Sequence, residues 1–282
     1  MGVATFEAEA GRFRREGWVR FPGFLALAER AALAPLCERI LDQWLARRAA
    51  RSDSTRQTNL AYLTDPRYFA GRPDDLVRLL EFVADPRILA ILGAVGGAVP
   101  VFHNTQLFHN PPEPDWAGPW HRDTQFLARD PALERERMAR FTSVHFRVAF
   151  EDDARLQYVP GSERRWDTAE EESIRRGGNP EAAASDDMPK AATLAMKAGD
   201  ALLFHAWGIH RGRRYGAAPK RRTLDIIYMW GAENDWAPAH ATCFADEAAR
   251  TAILARLSPH ARAFFERFVA VHRPYWKRSR AP

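Results

Sequence analysis

Trp120-His121-Arg122-Asp123-Thr124 places an imidazole and a carboxylate two residues apart, and a second imidazole, His210, closes the later run Gly199–His210. In an extended segment residues i and i+2 point to the same side, so His121 and Asp123 can grip one metal ion while Arg122 points away. Three consecutive residues cannot cover a face of an octahedron, so the third ligand has to arrive from another strand. A chain that uses these residues together must therefore fold so that two distant segments meet at one point. A lone His-x-Asp pair in a chain with 9 histidines is a weak signal. Its weight comes from what surrounds it.

Two imidazoles and one carboxylate form the facial set that holds Fe(II) in non-haem oxygenases and leaves three positions open. After His210 comes a basic stretch, Arg211–Lys220, which reads as a turn. Arg221–Trp230 then reads as a strand. Arg221, opening it, carries a planar fork suited to a carboxylate. Thr223 and Asp225 share a strand face with Arg221, and Leu224 and Ile226 share one with Arg222. Arg155–Val159 is strand-like and ends at the tight turn Pro160-Gly161-Ser162, and Gly199-Asp200 is a turn feeding the apolar run Ala201–Phe204.

The order of these motifs resembles the phytanoyl-CoA dioxygenase family of Fe(II)/2-oxoglutarate-dependent oxygenases. The resemblance runs from Gly17–Leu25 through Leu107–Pro112, Trp120–Asp123 and Leu156–Ser162 to Gly199–Tyr228. It implies that His121, Asp123 and His210 bind iron and that Arg221 binds the distal carboxylate of 2-oxoglutarate, with O2 as the other cosubstrate. Arg222 is the register alternative. Family members often carry a Lys where this chain has Asn110, and a His where it has Glu163. The partner of the 1-carboxylate end is thus open, with Gln106 the better candidate and Thr223 beside Arg221 on the polar face. Glu163 suggests a changed loop. The aspartate of His-x-Asp is present, unlike in halogenating relatives, which argues against halogenation.

With 282 residues and 46% hydrophobic composition, one large domain over 1–282 is expected. Two cysteines, Cys37 and Cys243, give no disulfide framework, and the opening residues show no signal-peptide pattern, so a cytoplasmic setting is expected. The net charge of +5 is spread out and lacks the dense basic stripe of a nucleic-acid binder. A small-molecule substrate, anionic if the basic balance serves recognition, is favoured. No stretch reaches the roughly 20 apolar residues of a membrane span. The oligomeric state is not encoded in any motif.

Leu27–Arg48 carries apolar residues at helical spacing, Asp85-Pro86 and Asp130-Pro131 read as helix starts, and Ser258-Pro259 opens a last helix. Pro100–Phe108 and Thr142–Phe150 read as strands. Residues 165–197 form a polar insertion expected to be flexible or to act as a lid, the Glu170–Glu172 run within it is expected to be solvated, and 273–282 is a basic tail. The fold class is mainly β with flanking α-helices. Its core is expected to be a double-stranded β-helix, a jelly roll of the cupin-like kind. The expected activity is hydroxylation of an unactivated C–H bond. The alternatives are desaturation or cyclisation by the same oxidising chemistry, a non-catalytic metal-binding jelly roll, or a basic nucleic-acid module. His103, His109 and His205 are expected to lie behind the ligands or on the surface, and Trp116, Trp120, Phe126 and Trp207 to pack or to line a pocket.

Overall fold

The computed structural model describes residues 6–49, 59–110, 118–126, 130–213, 221–231 and 242–276, and arranges them on two antiparallel sheets. The described strands are β1 (Trp18–Phe21), β2 (Asn59–Ala61), β3 (Val101–His109), β4 (Thr142–Ala149), β5 (Leu156–Tyr158), β6 (Ala192–Thr193), β7 (Ala201–His205), β8 (His210–Gly212) and β9 (Arg222–Trp230). The large sheet runs β1-β7-β4-β9-β3-β2 and the small one β6-β5-β8. Strands adjacent in sequence often sit in opposite sheets. The chain crosses from β4 to β5 and from β7 to β8, which is how a double-stranded β-helix winds.

The two faces of the large sheet bury different chemistry. Val144, Phe146 and Val148 of β4, Leu203 of β7, and Leu224, Ile226 and Tyr228 of β9 point to the outer face and join the main apolar core. Helices α2 (Leu27–Ala49), α3 (Pro73–Val83), α4 (Pro86–Gly96) and α10 (Pro259–Trp276) close that core with Ile40, Leu41, Leu79, Leu80, Leu92 and Phe265, all essentially inaccessible. Each such side chain contributes about 1.5–3 kcal/mol on leaving water. The alternate positions on β4, namely Ser143, His145 and Arg147, face between the sheets and are buried too. The apolar–polar alternation in Thr142–Phe150 therefore separates two interiors, not a core from solvent.

Helix starts follow their capping chemistry. Asp85 and Asp130 each accept a backbone N–H from the residue after the proline, at 2.7 Å in both cases, so α4 and α5 (Pro131–Arg140) begin where Asp-Pro predicts. Trp18–Phe21, within the run Gly17–Leu25, forms an edge strand that pairs with β7. Two sequence expectations need correction. The last helix runs into the expected basic tail, to Trp276, with Pro274 inside it. Glu171 of the acidic run is buried: it closes a capping box with Thr168 at the start of α6 (Ala169–Arg176) and pairs with Arg165. Among the described residues no helix is long and apolar enough to cross a membrane. Trp116, Arg214, Lys220 and the tail from 277 onward lie outside the described residues.

Candidate metal centre and cosubstrate wall

His121 and His210 form an isolated antiparallel bridge, each backbone N–H donating to the other's carbonyl at 2.9 Å. The bridge sets the two imidazoles side by side, ring centroids 4.3 Å apart. His121 Nδ1 lies 2.7 Å from the Pro119 carbonyl and His210 Nδ1 2.9 Å from that of Gly208. A carbonyl only accepts, so each Nδ1 carries the proton and each Nε2 presents a lone pair. Asp123 Oδ1 lies 3.5 Å from both Nε2 atoms. Among the described residues these three form the group whose ligand atoms all fall within 4.8 Å of one another. Adjacent positions of an octahedron with bonds of about 2.1 Å stand about 3 Å apart, so the donor set fits a divalent ion with little adjustment. Burial and the neighbouring His210 push the His121 imidazole down to about 4, which keeps its lone pair free for a metal.

The local backbone departs from the expected extended segment. His121 is in the bridge, but Asp123 opens a 3₁₀ turn (Asp123–Phe126). Its N–H donates to the Ala206 carbonyl at 3.1 Å, which turns the carboxylate toward the imidazoles. His210 is not carried by the Ala201–His205 strand itself. It opens β8 in the opposite sheet, after the chain has crossed over.

Arg122 does point away, into a fully buried ionic network. Its guanidinium holds the Ser162 and Trp207 carbonyls and pairs with Asp167 at 2.7 Å. Asp167 is also paired with Arg175 of α6, and Arg175 with Glu134 of α5. One side chain thus ties the His-x-Asp turn to the Pro-Gly-Ser turn, to the loop before His210 and to the 165–197 insertion. Further along that insertion Trp120 Nε1 donates to the Ser185 carbonyl, at 2.9 Å.

Behind the carboxylate lies a second chain of buried polar groups. His145 Nε2 is 2.8 Å from Asp123 Oδ2, and His145 Nδ1 is 3.0 Å from Asp225 Oδ2. Arg147 grips Asp225 with two hydrogen bonds of 2.6 Å. Burial opposes a charge on His145, but the two carboxylates outweigh it and push the imidazole up to about 9.

The wall beside this chain holds the cosubstrate candidates. Register pairs Gln106 with Asp225 and Phe108 with Thr223, so Gln106, Phe108, Thr223 and Asp225 share the face between the sheets. Arg221 immediately precedes the strand that it was expected to open. Its guanidinium lies 5.1 Å from the Phe108 ring, on the inner side, and its Nε donates to the buried Asp153 at 2.9 Å. Thr223 is fully buried and its hydroxyl has no hydrogen-bond partner among the described residues. Gln106 Oε1 accepts from Asn59, and Asn110 accepts the Arg221 backbone N–H. Glu163 stands away from the ligands, 3.2 Å behind the Tyr158 hydroxyl, and the Tyr158 ring stacks on His210.

Residues 13–222 match the sequence profile of the family described as phytanoyl-CoA dioxygenase (PhyH). The chain belongs to the phytanoyl-CoA dioxygenase family. Membership makes it a non-haem Fe(II)/2-oxoglutarate-dependent oxygenase that consumes O2. No curated protein matches it. Among solved structures it is similar to the epimerase SnoN from nogalamycin biosynthesis, at 21% identity and a TM-score of 0.55, over 82% of this chain and 83% of that one. It is also similar to the carbocyclase SnoK of the same biosynthesis, at 18% identity and a TM-score of 0.58, covering 82% and 86%. HygX from Streptomyces hygroscopicus, solved with nickel and 2-oxoglutarate bound, gives 16% identity, a TM-score of 0.54 and coverage of 78% and 85%. At these identities the likeness shows the shared fold.

Within this phytanoyl-CoA dioxygenase family member, sequence reasoning singled out His103, His109 and His205 and passed over His145. None of those three is among the clustered ligands. His109 is buried against Trp44, and His205 stacks on Phe13. The signal for His145 and Arg147 was present, as two ionisable residues alternating with valine and phenylalanine. It was unreadable without knowing that both faces of β4 are covered.

Proposed function

We propose that this enzyme hydroxylates an unactivated C–H bond of a small-molecule substrate, with His121, Asp123 and His210 holding Fe(II) and Arg221 anchoring the distal carboxylate of 2-oxoglutarate. The observation that carries the reading is the convergence of Asp123 Oδ1 and two lone-pair-bearing Nε2 atoms, one from the His121 bridge and one from β8, at 3.5 Å. The iron supplies, when bound, the oxidising chemistry that couples decarboxylation of 2-oxoglutarate to removal of a substrate hydrogen.

The chain's own residues supply position and polarity. Arg221 offers a fork that suits a carboxylate. The buried Thr223 hydroxyl, without a partner among the described residues, supplies a further donor on the same wall, and Gln106 an amide for the other end of the keto acid. Phe126 is exposed, with its ring 5.1 Å from that of His121, and marks where an apolar substrate body meets the metal centre. The net charge of +5 favours an anionic substrate. Residues 1–282 act as one domain, with part of 165–197 as the lid. The buried free cysteines Cys37 and Cys243 suit a reducing, cytoplasmic setting.

Succinate formation from 2-oxoglutarate without substrate, with and without Fe(II), tests the cosubstrate half. A metabolite screen then reads the outcome. A product heavier by one oxygen supports hydroxylation, and one lighter by two hydrogens points to desaturation or ring closure. Absence of Fe(II)-dependent succinate overturns the reading.

A further inference from the structure

The Asp123 carboxylate is divided between two environments. Oδ1 faces the imidazoles of His121 and His210, 3.5 Å from each Nε2. Oδ2 is held from behind by His145 Nε2 at 2.8 Å. His145 itself has little freedom. Its ring lies flat on Phe204, with centroids 4.6 Å apart and planes 8° apart, and its other nitrogen is 3.0 Å from Asp225. Asp225 is fixed in turn by the two 2.6 Å hydrogen bonds from Arg147. His145, Phe204, Asp225 and Arg147 are all at most a few per cent exposed.

We propose that His145 is a positioning residue whose hydrogen bond to Oδ2 holds Asp123 to a single metal-facing oxygen. The inference rests on the metal assignment of the preceding section. Its consequence is a matter of counting positions. Two imidazoles and one carboxylate oxygen leave three sites on an octahedral ion, two for a chelating keto acid and one for dioxygen. A carboxylate free to bind through both oxygens takes a fourth position and leaves room for the keto acid alone. The Asp225–Arg147 pair behind His145 keeps the ring from turning away. Arg147 also stacks over Phe108, so the support reaches the wall that carries Thr223 and Gln106.

The test uses Co(II) with 2-oxoglutarate as a probe, because visible Co(II) absorption weakens as coordination number rises. His145→Phe keeps the stack on Phe204 and removes the donor, whereas His145→Gln keeps a donor. Each variant is melted first, and if His145→Phe does not fold, His145→Met removes the same donor. Wild type and His145→Gln should share one spectrum, and His145→Phe should show a weaker one. O2 consumption by the Fe(II) and 2-oxoglutarate complex should fall about 10–100-fold in His145→Phe and recover in His145→Gln. A His145→Phe spectrum identical to wild type, or a His145→Gln spectrum as altered as that of His145→Phe, overturns the proposal. Failure of wild type itself to bind Co(II) would instead remove the metal assignment beneath it.

Discussion

His121 and His210 are locked to each other through their backbones before any metal is considered, by two reciprocal hydrogen bonds of 2.9 Å. The bridge joins the turn that carries Asp123 to the first residue of β8, and hence to the small sheet. Both imidazoles are oriented by carbonyls two residues upstream, so the lone pairs meet on one side. The site is preorganised by main-chain pairing, and its weak points lie in the side chains that brace the turn.

Arg122 is the main brace. Replacing it with Met takes the guanidinium donor from the Ser162 and Trp207 carbonyls and removes one partner of the buried Asp167. Breaking a buried pair on one side costs about 3–5 kcal/mol. Arg122→Met should therefore lower urea-unfolding stability by that order and weaken metal binding with it. A change below about 1 kcal/mol would contradict the bracing role.

The 165–197 insertion should divide into two parts in hydrogen exchange. Amides of α6, such as Glu172 donating to Thr168, sit beside the buried Arg175–Asp167 pair and should be protected without ligand. Residues 178–187 should exchange faster and slow when Mn(II) and 2-oxoglutarate are added, because Trp120 and Arg211 reach the carbonyls of Ser185 and Ala184. Uniform strong protection across the segment in the apo protein would rule out the lid.

Arg221 and Arg222 should separate sharply in 2-oxoglutarate titrations. Arg221 is on the inner side with Thr223, whereas Arg222 shares its strand face with Leu224 and Ile226 of the outer core. Losing a charge-assisted carboxylate contact costs on the order of 2–4 kcal/mol. Arg221→Gln should raise the apparent KM for 2-oxoglutarate about 30-fold or more, and Arg222→Gln should change it little. The reverse pattern would reassign the anchor to Arg222.

Acid should destabilise the fold through its buried neutral histidines. Burial pushes both His109 and His272 down to about 4, from an ordinary value of 6.5. Their stabilising neutral forms persist above pH 6.5, and that contribution is lost as pH falls from 6.5 toward 4. Each group contributes on the order of 3 kcal/mol by the end of that window. His272→Leu should flatten the pH dependence of the melting temperature between 6.5 and 4. An unchanged slope would refute the assignment.

Much of the fold was legible because its signals are local. Asp-Pro caps fixed α4 and α5, apolar spacing fixed α2, and alternation fixed β4 and β9. The approach of His121, Asp123 and His210 followed from motif order. The two short edge strands, β1 and β2, carried too few residues for a period to show. His145, Asp225 and Arg147 were missed as a group because their link is cross-strand register, which no spacing within one segment encodes. Arg221 was placed on the correct face, but its pairing with Asp153 depends on a crossing between the sheets that the sequence does not spell out.

The most direct measurement is equilibrium binding of Mn(II) under anaerobic conditions to wild type and to Asp123→Ala, with the melting curve recorded for each. The account predicts one ion per wild-type chain and loss of that binding in an Asp123→Ala protein that still melts cooperatively, at a metal-free temperature lowered by the loss of the His145 partner. Undiminished Mn(II) binding by a folded Asp123→Ala protein would contradict it.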